Sequence, residues 1–252
     1  MTFHISPHSY QHKQWIFAFY GFGQHALVFD YFIQLTKNKY GCIVIDLPYH
    51  EACNEKTKEA FADKIKEIIQ QNHIEKIIGI SYSMGSKYNL VLAENLAMFI
   101  DKIILIAPDG IKINFWAKLA TSTIAGNFLF KFLMSHLHIY IKIISILYSS
   151  KLLSKTMYSF VKWHVRNKES AMNVYHSWTN MKNIVPDLKA INANQIKYQF
   201  DILAYFGKFD EVIHQNIAKK LVKEIPNTKI IELEKTHKLL DDNLFNHIAS
   251  SL

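Results

Sequence analysis

Arginine is almost missing from this chain: of 29 basic residues, only Arg166 carries a guanidinium. Bidentate contacts to guanine edges or phosphates are therefore nearly unavailable, which sets nucleic acid aside as a partner. Cysteine is scarce too. Cys42 and Cys53 are the whole complement, too few for a disulfide scaffold. Cys42 falls in an apolar strand pattern and reads as a buried, unreactive thiol. The opening residues, MTFHISPHSYQHKQ, lack the basic stretch and apolar run of a secretory leader. The apolar stretch from Phe132 to Ile141 is bounded by Lys131 and Lys142, short of the roughly 20 residues that span a bilayer. The metal and nucleotide motifs H-E-x-x-H, G-x-x-x-x-G-K-[ST] and G-x-G-x-x-G do not occur. His136 and His138, two residues apart, would point to different faces of a helix. No metal and no cofactor are expected, and the expected location is the cytoplasm.

What is present is a foldable composition. The 252 residues are half hydrophobic, with a mean hydropathy of 0.00 and a net charge of +8. A disordered chain would be poorer in apolar residues. The length suits one large domain, or one domain with an insertion. The basic excess leaves an anionic membrane surface or an anionic substrate as partners.

Short apolar runs alternate with helical patterns. Residues 14–19, 42–45, 76–80, 102–106, 200–205 and 229–233 read as strands. Residues 26–37, 58–71, 85–98, 213–224 and 241–252 read as helices between and after them. Buried strands alternating with amphipathic helices predict an α/β fold, a mostly parallel twisted sheet covered on both faces. Residues 3–5 are the candidate remnant of an antiparallel opening hairpin. Between residues 111 and 195 no strand pattern appears. Connections in such folds usually take about 2–6 residues, so this segment must carry structure of its own. Its apolar residues have helical spacing: Phe128, Phe132 and Leu133, then Ile139, Ile143, Ile146 and Leu147. The predicted division is a core of residues 1–110 and 196–252 with a helical cap inserted over 111–195.

The chemistry centres on Ser83. Ser81-Tyr82-Ser83-Met84-Gly85 sits where a strand runs straight into a helix. It is one residue from G-x-S-x-G, the strained strand-to-helix turn that exposes a nucleophile. Small size is what the flanking positions require, and Ser81 is small. Ser81 is the rival nucleophile, but it lacks a glycine two residues on. A small-residue turn can also serve packing alone.

Four further segments, in order, make the core resemble the α/β-hydrolase superfamily. Tyr20-Gly21-Phe22-Gly23-Gln24 is similar to the family's H-G-F-G-Q turn. Ile45-Asp46-Leu47-Pro48-Tyr49-His50 is similar to its D-L-P-G-H. The stretch from Gly207 to Asp210 resembles the G-x-x-D that supplies the acid, and Thr236-His237 falls where the family places its histidine. The resemblance implies a Ser83–His237–Asp210 triad. His237 would take the Ser83 proton and Asp210 would hold the imidazole. Asp109 is the rival acid, and Asp201, inside a strand, a weaker one. The resemblance also implies an oxyanion hole from the backbone N–H groups of Phe22 and Met84. Tyr20 departs from the family, which has histidine there. Gln24 and His25 could line the site or simply open a helix.

The expected function is a serine hydrolase acting on a carboxylic ester, with a lipophilic small-molecule substrate. Thioester cleavage, acyl transfer and carbon–carbon hydrolysis would use the same residues. A ligand-binding descendant without activity and a membrane-surface protein are the other readings. The inserted segment holds eleven basic and two acidic residues, a net +9, leaving −1 for the rest. It is also rich in aromatics: Phe115, Trp116, Phe128, Phe130, Phe132, Trp163 and Trp178. It reads as a lid, either lining a lipophilic pocket and drawing in anionic surfaces, or simply packing its aromatics inward with solvated lysines.

Overall fold

The structure, a computed structural model, describes residues 2–47, 57–112 and 115–252. Cys53 and the Pro48-Tyr49-His50 end of the D-L-P-G-H-like segment lie outside the described residues, as do the side chains of Phe115 and Trp116.

Apolar runs form the sheet because both of its faces are covered. The strands are β1 (Phe3–Ile5), β2 (Gln14–Phe19), β3 (Gly41–Ile45), β4 (Lys76–Tyr82), β5 (Ile100–Ile106), β6 (Asp201–Gly207) and β7 (Thr228–Leu233). In β2, β3 and β4 nearly every residue is buried, which continuous apolar patterning requires. Their spatial order is β1-β3-β2-β4-β5-β6-β7. All neighbours pair in parallel except β1, which runs antiparallel to β3 with Phe3 opposite Ile45. This short strand forms the edge of the sheet, at the residues 3–5 read as a candidate strand.

Helices α1 (Asp30–Thr36), α2 (Lys58–Gln71), α3 (Ser86–Asn95), α9 (Leu188–Tyr198), α10 (Asn216–Glu224) and α11 (Asp242–Ser250) belong with the sheet, while α4 (Phe115–Ser122), α5 (Ile124–Ser135), α6 (Leu137–Ser149), α7 (Lys155–His164) and α8 (Lys168–Asn180) do not. Helix α2 buries Phe61, Ala62, Ile65, Ile68 and Ile69, one stripe at helical spacing, and is capped by the Thr57 hydroxyl. Most element ends differ from the sequence reading by one to three residues, and two differences bear on the site. The helix expected over residues 26–37 begins as a 3-10 turn at Ala26–Phe29 and is α-helical only over α1. Strand β4 runs two residues further, because Ser81 and Tyr82 still pair with Leu105 and Ile106 of β5.

The chain divides into two compact units. Among the described residues, the first holds 2–47, 57–112 and 184–252, and the second 115–183. The break therefore falls twelve residues before the expected boundary at 195. Helix α9 accounts for the difference. It buries Leu188, Ile191 and Gln195, and Asn194 Nδ2 donates to the carbonyls of Ala93 (3.1 Å) and Glu94 (2.7 Å) at the end of α3. The absence of strand patterning extends the expected insert through this helix, but its buried face and hydrogen bonds tie it to the sheet unit. The second unit is all helical. Its core joins Met134 of α5 with Val165, Ala171 and Tyr175, and Phe130, Leu133 and Met172 pack against them. The Thr123, Ser154 and Asn167 side chains cap α5, α7 and α8. No single helix among the described residues is long and apolar enough to cross a membrane.

Candidate active site

Strand β4 ends at Tyr82 and the chain turns at once. Ser83 has φ +50°, in the left-handed region, which costs a residue with a side chain about 1–3 kcal/mol. A 3-10 turn over Ser83–Gly85 leads directly into α3. Steric need explains the small residue at 85. A Cβ there would stand 2.4 Å from the Phe19 carbonyl oxygen and 2.6 Å from that of Tyr20. Both are backbone atoms, at the end of the neighbouring strand β2 and one residue past it, and cannot swing away.

Strands β6 and β7 are parallel neighbours, so the loops that leave their C-terminal ends emerge side by side. The Lys208 N–H donates to the Leu233 carbonyl (2.8 Å) and the Phe209 N–H to that of Lys235 (3.0 Å). Gly207 permits this closeness, since a Cβ there would lie 2.6 Å from the Lys235 oxygen. The two stitched loops carry Asp210 and His237. Asp210 Oδ2 lies 2.7 Å from His237 Nδ1, and His237 Nε2 lies 3.1 Å from Ser83 Oγ. The Asp210 side chain is fully buried. Its other oxygen accepts from the N–H groups of Val212 (2.8 Å) and Ile213 (2.9 Å), which fixes the carboxylate plane. A carboxylate only accepts, so Nδ1 carries the proton of that bond; in the tautomer with one ring proton, Nε2 is then left to accept from the Ser83 hydroxyl. The structure thus brings together the three side chains that sequence order singled out.

The same fold recurs in solved structures. A carboxylesterase of the ammonia-oxidizing thaumarchaeon Nitrososphaera gargenis superposes with a TM-score of 0.64 at 16% identity, over 99% of this chain and 93% of that one. MenH from S. aureus gives 0.62 at 20% identity, over 99% and 96%. MGS-M2, an α/β hydrolase enzyme from a Medee basin deep-sea metagenome, gives 0.67 at 12% identity, over 99% and 91%. This is the α/β-hydrolase fold. No protein-family model and no curated protein sequence matches the chain.

Within the α/β-hydrolase framework the rival residues have other partners. Ser81 is fully buried. Its Oγ lies 3.1 Å from Ser86 Oγ and 3.3 Å from the Ile104 carbonyl, and accepts from Asn89 Nδ2 at 3.0 Å. That network pins α3 to the sheet and withholds the hydroxyl from any substrate. Asp109 follows β5 as expected, but its carboxylate accepts from the Gly110 N–H at 2.7 Å and faces Lys87 Nζ at 3.8 Å. Asp201 is exposed at the first residue of β6, at the far end of the strand from Asp210. Cys42 is buried, and burial pushes its thiol well above the usual range, as an unreactive thiol requires.

Phe22 and Met84 lie in the turns that follow the adjacent strands β2 and β4. Phe19 of β2 pairs with Ser81 of β4, and each candidate donor lies three residues beyond its strand's member of that pair. Gln24 closes the Phe22 turn, accepting from the Gly21 N–H through Oε1 at 2.9 Å. Tyr20, where the family has histidine, donates to Asp46 Oδ1 at 2.8 Å. Thr2 Oγ1 and His4 Nε2 hold the other Asp46 oxygen at 2.9 and 2.8 Å. Burial works to raise the Asp46 carboxyl, but these hydrogen bonds outweigh it and hold it below the usual range. Tyr20 thereby ties the end of β2 to the end of β3.

The sequence reading missed Tyr82. Its hydroxyl donates to the His237 carbonyl at 2.8 Å, and its ring lies tilted against the imidazole with centroids 5.4 Å apart. Burial, with Asp210's charge adding to it, keeps the phenol above its ordinary pKa, so it stays a donor. An aromatic residue with a polar tip immediately before Ser83 is the available signal. Tyr82→Phe removes the hydrogen bond and keeps the ring. We expect kcat to fall about tenfold, as loss of orientation costs, with KM and melting temperature little changed. An unaltered kcat would show that the His237 loop holds its place without this bond.

Proposed function

We propose that this protein is a serine hydrolase that cleaves a carboxylic ester through an acyl-enzyme. The observation that carries the proposal is the unbroken chain from Ser83 through His237 to buried Asp210, set on an elbow with Ser83 at positive φ. A serine hydroxyl is a weak nucleophile until a base takes its proton. In the proposed mechanism His237 Nε2 receives that proton as Ser83 Oγ attacks the ester carbonyl. Asp210 stabilises the imidazolium that forms. The N–H groups of Phe22 and Met84 are the proposed donors to the tetrahedral oxyanion, and one such donor is worth about 3 kcal/mol of transition-state stabilisation. His237 then returns the proton to the departing alcohol, and water repeats the sequence on the acyl-enzyme.

The ester is favoured over other acyl compounds because structures of this fold at similar distance include carboxylesterases and an enol-lactonase. A lipophilic acyl group is proposed on the aromatic content of the sequence, and acyl length is the variable that tests it. The test is a panel of esters of graded acyl length, with a thioester and an acyl acceptor included. We expect the highest kcat/KM on a carboxylic ester, rising with acyl length. A thioester preferred at every length, or acyl transfer outrunning hydrolysis, would replace the reading with one of the other reactions open to these residues.

A further inference from the structure

The second unit carries an outward apolar face that its own core leaves without a partner. In α5, Phe130, Leu133 and Met134 point inward. Ile124, Phe128 and Phe132 recur every four residues and so share the opposite face. They are 94%, 75% and 39% exposed, and Leu129 beside them is 56% exposed. Helix α6 follows after a break at His136, bent by 100°, and exposes Ile143 and Ile146. By length and composition this bent pair passes for a broken apolar span, although neither helix could cross a bilayer alone. Its charge has one sign. No acidic residue occurs between Asp109 and Glu169. Residues 115–183 hold nine basic residues against one acidic, while the rest of the chain balances twenty against twenty. Lys131 and Lys142, one on each helix, are exposed.

We propose that the outward face of α5, continued onto α6, docks peripherally on an anionic phospholipid surface. Large apolar side chains beside lysines are what an interfacial helix needs. The side chains enter the boundary of the acyl chains while the lysines meet lipid phosphates. Charge argues against a second copy of the same face, which would set lysines against lysines with no carboxylate between them. The proposal does not depend on hydrolysis by Ser83.

Co-sedimentation of the full chain with phosphatidylcholine vesicles, with and without phosphatidylglycerol, tests it at low and high salt. Binding is expected only with phosphatidylglycerol, and added salt should weaken it. Phe128→Glu with Phe132→Glu should lower binding about tenfold or more. Ser83→Ala should bind like the wild type even though hydrolysis is lost, so failure of either proposal is visible separately. Lys131→Glu with Lys142→Glu, which leaves the apolar face intact, should also weaken binding and decides the matter if the phenylalanine variant does not fold. No binding to anionic vesicles, or equal salt-independent binding to neutral ones, overturns the proposal. So does a wild-type oligomer, seen by light scattering, that the phenylalanine variant converts to monomer, because the face would then belong to a second copy.

Discussion

Replacing Ser83 with alanine is expected to end labelling by a fluorophosphonate and to lower ester hydrolysis about 10^5-fold. The size follows from how the three residues act together. Without Oγ there is nothing to form the acyl-enzyme, and the remaining His237–Asp210 pair can only assist water. Oxyanion donors and substrate binding would remain, so a residual rate above the uncatalysed one is expected. Structurally the change is mild. Alanine at 83 must adopt the same positive φ of +50°, so the fold should survive, which a thermal melt checks. Ser81→Ala is the matched control. It breaks the buried bonds to Ser86 and Asn89 and should reduce stability, not labelling. Equal labelling of Ser83→Ala and wild type would sink the nucleophile assignment, and loss of labelling in Ser81→Ala at unchanged stability would move it to Ser81.

The second large effect is expected at Asp210. Asparagine at 210 should lower kcat about 10^4-fold with little change in melting temperature. The carboxylate accepts from His237 Nδ1 and from two backbone N–H groups at once. An amide has one oxygen and one NH2. If the oxygen keeps the two backbone donors, the NH2 faces Nδ1 and selects the wrong imidazole tautomer, with Nε2 protonated and unable to accept from Ser83. The imidazolium of the transition state also loses its counter-charge. Asp109→Asn should change kcat by no more than about twofold, because Asp109 faces Lys87 and Gly110 instead of the histidine. Rates of the two variants on one ester decide it: a larger loss at Asp109 would show that the acid was assigned to the wrong strand end.

Much of this site was legible before any coordinates. Ser83 could be read because a strand-to-helix turn tolerates only small neighbours, and Gly85 meets two backbone carbonyls as that argument requires. Cys42 could be read because five consecutive buried residues make β3, and no reactive thiol sits in such a strand. The division at 195 rests on where strand patterning resumes, which does not show to which unit a preceding helix belongs; the buried face of α9 and its bonds to Ala93 and Glu94 place it with the sheet. Tyr82 was missed because its partner is a backbone carbonyl 155 residues away. The aromatic residue beside Ser83 marks the position, but its partner is set by the fold alone.

The basic excess is located more sharply than its sum allowed. All eight net charges fall within residues 115–183, on a helical unit with phenylalanines turned outward. By itself the sequence determined the alternation of strands and helices, the order Ser, Asp, His and the small residues of the elbow, because periodicity, chain order and side-chain size are local. Only the tertiary structure decided which aspartate faces His237, which serine is sealed in the sheet and which face of α5 is left outside. Each of those depends on where strands distant in sequence set their ends, and on which side of a helix finds a partner.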